Sequence, residues 1–335
     1  MSIPQAKRPA VDRALGAAFG TTQLDAIAPL GGGLSGALIY KIRVGGIAYL
    51  LRIEGARDAF RDPDRWYACM RIAAQAVIAP RVRYADAADG VAIMEFVVER
   101  SLSQDFMGTR AALITEAAQT LRALHQAPAF PPLVDYMEGM EAIIGEHRAT
   151  GLLAAATTAP LLARWAALKG AYRTDPADLV SSHNDLNPRN VLYDGRRLWF
   201  VDWESSFLAD RYVDLATLAN FMTSGAAEAD LLLGAYLGQA PDARQRARLH
   251  VMRQVNHLFY GLIMLNAVAG QRPGVAAPGG LEAPDLAEIH QGLGAGTYVL
   301  EGWEGQITYG KSRLAAALAG MSTPAFDQAV RLLTA

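Results

Sequence analysis

The stretch SSHNDLNPRN, residues 181–190, places Asp185 and, five residues later, Asn190 among turn-forming residues, with His183 just ahead of them. A carboxylate and a carboxamide converging from one tight loop suit phosphoryl transfer, which asks a protein for positioning and charge neutralisation rather than covalent chemistry. In that chemistry one carboxylate faces the incoming hydroxyl and accepts its proton. An oxygen ligand holds Mg²⁺ nearby, and a second carboxylate binds metal against the β- and γ-phosphates. Asp185 and Asn190 fit the first two roles, and Asp202, in LWFVDWE directly after a strand-like run, fits the third. These three are the candidate catalytic residues, with Asn190 and Asp202 the candidate metal ligands. A strand–turn–strand between Asn190 and Asp202 would bring the two ligands together.

Several elements must position them. Residues 9–19 read as a short amphipathic helix with Pro9 near its start. ALIYKIRV, the dipeptide Gly45-Gly46 and IAYLLRIEG read as a β-hairpin around a two-residue glycine turn. A helix is expected from Asp64 to Ala76, opened by Pro63 and closed before Pro80, and then a strand pair around Asp89-Gly90. Beyond about residue 100 helical periodicity dominates, as in ALITEAAQTLRALHQ and LLARWAALKGAYR. Two short strands, NVLYD and RRLWFVDW, interrupt it through Asp194-Gly195. The chain reads helical again from Asp214, broken by a Gly/Pro-rich loop at 270–284. A small β-rich lobe thus comes first and a larger α-rich lobe second, crossing near Glu95 to Arg100.

LGGGLSGALIY holds Gly31-x-Gly33-x-x-Gly36. A dinucleotide-binding turn would need a strand before these glycines and a helix after them, and a hairpin follows instead. Two readings stand: a loop whose backbone N–H groups, with the Ser35 hydroxyl, cover ATP phosphates, or a plain glycine-rich connection.

Composition sets bounds. Of 335 residues 52% are hydrophobic and 19% charged, and the net charge is −2, which excludes wholesale disorder and any basic field for nucleic acid or an anionic membrane. A single Cys69 excludes an intramolecular disulfide and a cysteine-based zinc site and suits a reducing compartment. MSIPQAKRPAVD lacks the apolar core of a signal peptide, and the apolar run from Leu258 to Val268 is too short to span a bilayer. A cytoplasmic protein is expected, with a small-molecule partner and neither nucleic acid nor membrane.

With these residues in place, the sequence resembles the aminoglycoside phosphotransferase and choline/ethanolamine kinase superfamily of the kinase-like fold. The resemblance runs over roughly residues 28–225, in the expected order. It is carried by His183-Asn-Asp185-x-x-x-x-Asn190, by Val201-Asp202-Trp203-Glu204, and by YVDLATL with Asp214, supported by LRALHQ, YLLRIEG and MEFVV. It implies an α+β, two-lobed protein-kinase-like fold, with a nucleotide-binding lobe at 1–97 and a catalytic and substrate-binding lobe at 98–335. It implies ATP and Mg²⁺ as cofactors and a small-molecule hydroxyl as phosphate acceptor. By the same resemblance Asp185 is the catalytic base or orients the hydroxyl, Asn190 and Asp202 bind metal, and Arg52 contacts the α/β-phosphates. Gly33, Ser35 and Gly36 form the phosphate loop, and the backbone at Glu95 and Val97 pairs with adenine. His183 props the catalytic loop by bonding backbone near Asp202, and Asp214 braces it.

One departure stands out. Kinases pair the third-strand cation with a Glu on the following helix, and Ala56–Ala79 holds no Glu, with Trp66 near the usual place. Either Asp58, Asp62 or Asp64 substitutes, or Arg52 stands unpaired. For the acceptor, Glu204 directly after Asp202-Trp203 resembles the choline-kinase branch. An ammonium over Tyr260 or Trp303, with Glu301 or Glu304 near, is sound physics for a cationic amino alcohol such as choline or ethanolamine. An aminoglycoside, a sugar or an amino acid is the alternative acceptor. A nucleotide-binding regulatory protein without catalysis is the alternative class. Trp-Glu after Asp202, and the lack of a long segment before Asp214, argue against a protein kinase.

Overall fold

The computed structural model describes residues 3–31, 36–58, 60–300 and 302–334. Two compact units emerge, neither a consecutive half of the chain. The first comprises Met1–Leu133, Leu179–Asp214 and Phe221–Gly238, and the second comprises Val134–Asp178, Leu215–Asn220 and Gln239–Ala335.

The first unit begins with α1 (Arg8–Phe19), β1 (Ala26–Leu30), β2 (Leu38–Val44), β3 (Ile47–Ile53), α2 (Pro63–Gln75), β4 (Val82–Asp86) and β5 (Val91–Glu95). The strands form a five-stranded antiparallel sheet in the order β1-β2-β3-β5-β4. Gly45 and Gly46 turn β2 into β3 with φ of 57° and 79°, the doubly left-handed path that matches strand twist and that other residues enter at a cost. The register pairs Val44 with Ile47 and Leu38 with Ile53. Alternate residues therefore share a face: Tyr40, Ile42 and Val44 of β2, Tyr49, Leu51 and Ile53 of β3, and Val91 and Ile93 of β5 form one buried cluster with Val11, Ala14 and Leu15 of α1. β1 is absent from the sequence reading for a physical reason. AIAPL is exposed along its length and carries Pro29, which only an edge strand tolerates.

The chain continues through α3 (Leu102–Asp105) and α4 (Arg110–His125) in the first unit, then α5 (Tyr136–Thr150) and α6 (Ala155–Ala171) in the second. It returns to the first unit as β6 (Leu179–Ser182), β7 (Val191–Tyr193), β8 (Leu198–Phe200) and β9 (Phe207–Asp210), then α7 (Arg211–Met222), whose Leu215–Asn220 belongs to the second unit, and α8 (Ala226–Leu237) of the first. β7 pairs with β8 through Asp194-Gly195, where Asp194 Oδ1 accepts the N–H groups of Arg196 and Arg197. β6 pairs with β9, bracketing the loop that carries Asp185.

The second unit is helical, completed by α9 (Ala243–Gln271), α10 (Leu286–Ala295), α11 (Trp303–Met321) and α12 (Pro324–Thr334). A capping box between Asp242 and Gln245 starts α9, satisfying backbone donors that a helix start otherwise leaves open. Within this unit α9 packs against α5, α11 and α12. The Gly/Pro-rich stretch between α9 and α10 has neither helix nor strand, and is held by Ala277 N–H donating to Leu152 O at 2.7 Å. The architecture is α+β. Among the described residues no helix is long and apolar enough to cross a membrane.

The glycine turn gives a direct check. Gly46→Val puts a branched side chain at φ 79° and is expected to lower unfolding free energy by about 1–2 kcal/mol, the left-handed penalty for an L-residue. Urea unfolding reads this, and an unchanged midpoint would mean the turn tolerates a right-handed path.

Candidate active site

The loop after β6 is fixed from beneath by one carboxylate. Asp214, in the first turn of α7, is fully buried. Its Oδ2 accepts the His183 N–H at 2.7 Å and the Ser182 hydroxyl at 2.9 Å, and its Oδ1 accepts the Asn184 N–H at 2.8 Å. His125, the last residue of α4, places Nε2 3.1 Å from Oδ2 and Nδ1 2.8 Å from the Tyr236 hydroxyl. Burial alone would raise the Asp214 pKa. The His125 hydrogen bond and the neighbouring imidazoles and N–H groups reverse that and hold it below the usual carboxylate range. Asn184 takes a left-handed φ of 64° and sends Nδ2 to Ser205 O at 3.0 Å, tying the loop to the segment after Asp202.

His183 completes that tie. Its ring is buried, 2.9 Å through Nε2 from Val201 O, and lies 4.6 Å from the Trp203 ring. A carbonyl only accepts, so Nε2 carries the hydrogen. Burial holds the imidazole pKa below its usual value against the pull of Asp214, and the ring is neutral.

Asp185 and Asn190 meet directly. Asn190 Nδ2 donates to Asp185 O at 2.8 Å and to Asp185 Oδ2 at 3.2 Å, and Asn187 Nδ2 donates to Asp185 Oδ1 at 3.0 Å. Asn187 also caps the short 3₁₀ turn Pro188–Asn190. Val201 N–H donates to Asn190 O at 3.0 Å, which sets Asp202, one residue on, beside Asn190. Asp202 itself sits at φ 65°, a strained position for a residue with a side chain.

Arg52 on β3 is the other centre. Its guanidinium bonds Glu54 Oε1 at 3.0 Å through Nε, Asp202 Oδ1 at 3.0 Å through Nη1, and Glu204 Oε2 through Nη2, and it lies 4.7 Å over the Trp66 ring. The cation is therefore neither unpaired nor partnered by an Asp of residues 58–64. Asp58 turns its oxygen to the N–H groups of Phe60 and Arg61, and Asp62 caps α2. Glu54 is the partner the sequence reading missed. The available signal was its place two residues after Arg52, just past β3, where Glu54 N–H still donates to Gly90 O at 2.8 Å and both side chains fall on one face. Tyr67 of α2 donates its hydroxyl to the same Glu54 oxygen at 3.0 Å. Burial opposes the Arg52 charge, but Asp202, Glu54 and Glu204 outweigh it and raise the guanidinium pKa. Burial pushes the Glu54 carboxyl upward, and Arg52 and Tyr67 pull it part of the way back.

Of the glycine loop, Gly33 and Ser35 lie outside the described residues, as does Glu301. Gly36 is described and exposed, and shares a cavity of about 30 Å³ with Arg52, Glu54, Trp66 and Glu204. Gly55 allows that approach, since a Cβ there would lie 2.7 Å from Gly36 O. Glu95 ends β5 with its N–H donated to Arg81 O at 2.9 Å, and Val97 follows half-buried in extended chain. Tyr260 and Trp303 belong to the second unit. The Arg313 guanidinium lies 5.2 Å over the Tyr260 ring and Arg272 lies 4.9 Å over Trp303.

The oxygen set suits Mg²⁺, which takes one or two protein oxygens and completes its shell with phosphate and water. Asn190 spends its Nδ2 on Asp185 and keeps Oδ1 without a hydrogen bond, and Asp202 keeps Oδ2 likewise, among the described residues. No group of three or more His, Cys, Asp or Glu among the described residues stands ready to hold a metal alone.

Comparison with known proteins gives the family and the fold. A model of the phosphotransferase enzyme family matches residues 26–250, more than half of the chain, and the chain belongs to that family. Protein LicA of Haemophilus influenzae is 44% identical over 57 residues, a stretch that covers 17% of this chain and only 21% of that protein. A choline/ethanolamine kinase family protein from Mesorhizobium loti shares the fold with a TM-score of 0.70 at 22% identity, over 98% of this chain and 99% of that one. Choline kinase LicA from Streptococcus pneumoniae does so with a TM-score of 0.64 at 14% identity, over 95% and 99%. The fold is thus kinase-like.

The Asp214 network predicts both a magnitude and a pH window. Asp214→Asn leaves N–H donors facing an amide and is expected to cost about 3–5 kcal/mol, as for breaking a buried ionic network. Because the folded pKa is depressed, the carboxylate's contribution is fully present above the unfolded value of about 3.9 and lost as pH falls through the lower folded value. Urea unfolding against pH should show a constant gap between the two proteins near neutrality that closes only in acid. A gap that widens in acid would contradict the assignment.

Proposed function

We propose that this member of the phosphotransferase enzyme family moves the γ-phosphate of ATP to a hydroxyl of a small molecule, with Mg²⁺ as counter-charge. The observation that carries the reading is the contact of Asp185 with Asn190, together with the Asn190–Val201 backbone bond that sets Asp202 beside them. Asp185 has its carboxylate aimed by two side-chain amides, Asn187 and Asn190, and takes the proton from the attacking hydroxyl. Asn190 Oδ1 and Asp202 Oδ2 are the oxygens that would hold Mg²⁺, which would neutralise charge on the phosphates. Arg52 offers a two-pronged guanidinium to the α/β-phosphates, backbone N–H groups of the Gly33–Gly36 loop cover them, and the backbone at Glu95 and Val97 holds adenine. His183 and Asp214 support the loop without touching substrate.

For the acceptor, the fold neighbours named as a choline/ethanolamine kinase family protein and as a choline kinase support a cationic amino alcohol such as choline or ethanolamine. Two observations bear on how it would bind. Glu204 already holds Arg52, so a substrate ammonium would compete with a guanidinium for it. An ammonium on Tyr260 or Trp303 would likewise share each ring with a resident arginine. Aminoglycosides, sugars and amino acids are the rival acceptors.

ADP release with ATP and Mg²⁺, across choline, ethanolamine, sugars, amino acids and aminoglycosides, tests the reading. One class should raise the rate well above background hydrolysis. Asp185→Ala should lower kcat by about 10²–10⁴-fold, the range for losing a positioned base, while nucleotide binding persists. Asp202→Ala should raise the Mg²⁺ concentration needed for half-maximal rate. Nucleotide binding with no acceptor-stimulated turnover would favour a regulatory binding protein.

A further inference from the structure

On the first unit a groove of about 600 Å³ is walled by the second half of α2, by the chain entering and forming β4, and by Trp199 of β8. Its charge is one-sided. Arg71, Arg81 and Arg83 line it against the single carboxylate of Glu95, with Gln75 and Tyr84 beside them. A fourth cation adjoins: the Arg197 guanidinium lies 4.5 Å over the Trp199 ring and bonds Val77 O. Few of their donors are spent. Arg71 gives one to Ala85 O and Arg83 one to Glu95 Oε1 at 2.7 Å, while the exposed Arg81 side chain has no partner among the described residues. A guanidinium carries five N–H donors in a planar fork. The proposed phosphoryl transfer uses none of these side chains, and of Glu95 only its backbone.

Three guanidinium groups line the groove against Glu95, and a fourth adjoins at the wall where Trp199 Nε1 donates to Asp194 at 2.9 Å; cations in this excess repel one another, and an anion among them relieves that repulsion. We propose that this groove binds a small organic anion with two acidic groups, phosphate or carboxylate, joined by an apolar or aromatic part that lies against Tyr84 and Trp199. Forked guanidinium groups match either oxyanion in pairs, and the volume lies within the range of small-ligand pockets, about 300–1,000 Å³. The groove is coupled to the phosphotransfer residues by a short rigid path. α2 presents Arg71 and Gln75 to the groove, and one turn earlier Trp66 lies under Arg52 while Tyr67 bonds Glu54. A ligand that favours one position of α2 therefore biases the setting of Arg52.

Calorimetry on the full chain with isophthalate and, separately, inorganic pyrophosphate tests the site and distinguishes carboxylate from phosphate chemistry. The expected result is one equivalent of at least one probe, weakened by salt and weakened about tenfold in Arg81→Glu and in Arg83→Ala, the loss of roughly one charge-assisted contact. Arg81 is exposed, so its reversal preserves the fold, and a thermal melt confirms it. Asp185→Ala should bind the probe as the wild type does, which separates this site from the proposed reaction. Equal binding by wild type and Arg81→Glu overturns the proposal. So does the absence of binding by both probes, and so does capture of a poly-glutamate peptide alone, which would point to a protein partner.

Discussion

The geometry of the first unit rests on a carboxylate that water never reaches. Asp214 is fully buried and collects the Ser182 hydroxyl, the His183 and Asn184 N–H groups and the His125 ring. A buried charge is tolerated only when its lone pairs are filled, and these donors come from the end of β6, the loop that follows it and the end of α4. Satisfying one side chain therefore fixes the direction in which the loop leaves β6. That direction decides where Asp185 lies. The same loop is tied at its far side by His183 to Val201 O and by Asn184 to Ser205 O, so the Asp202 segment takes its place from the same set of bonds.

Arg52 solves a related problem with opposite sign. A guanidinium with about a tenth of its side chain exposed needs counter-charge, and three carboxylates supply it. Only Glu54 is close in sequence. The partner that kinases take from a helix comes here from the residue just past the end of the cation's own strand, and the helix contributes an aromatic plane and a hydroxyl instead, Trp66 and Tyr67. This division has a physical reason. Two residues apart where the chain leaving β3 still donates from Glu54 N–H to Gly90 O, Arg52 and Glu54 share a face whatever the helix does, so their pairing survives a shift of α2. What a shift would alter is the stacking and the Tyr67 bond, which are weaker than a buried ion pair.

How far the sequence could be read follows from the range of each interaction. The glycine-turn hairpin, the Asp194-Gly195 hairpin, α1, α2 and α4 are written in neighbouring residues, and all were legible. The contact of Asp185 with Asn190 was legible too, because five residues of turn-formers leave few paths. β1 was not, since Pro29 and an exposed face hide an edge strand. Nor was the pairing of β6 with β9, which joins residues on either side of the whole Asp185–Asp202 segment. Glu54 was not legible because it follows β3 directly, where kinases carry no partner for the cation. The arginines over Tyr260 and Trp303 depend on helix register and loop path across the second unit, which no local pattern records.

On the proposed roles, these contacts make nucleotide and metal binding exchanges rather than additions. Asp202 accepts from Arg52 through Oδ1 and keeps Oδ2 open, while Arg52 spends one N–H of Nη1 on Asp202 and one of Nη2 on Glu204, so a two-pronged grip on phosphate would draw on the same two nitrogens. On these roles an arriving phosphate would compete with Asp202 for the guanidinium, and an Asp202 so released would have both oxygens to offer Mg²⁺. Such an exchange would replace one charge-assisted hydrogen bond by another and would leave no bare charge in a partly buried place. Glu54, bonded through Nε and Tyr67, need not move in this exchange. It would keep the guanidinium oriented while its other prongs changed partners, a use for a buried acid just past the end of the same strand.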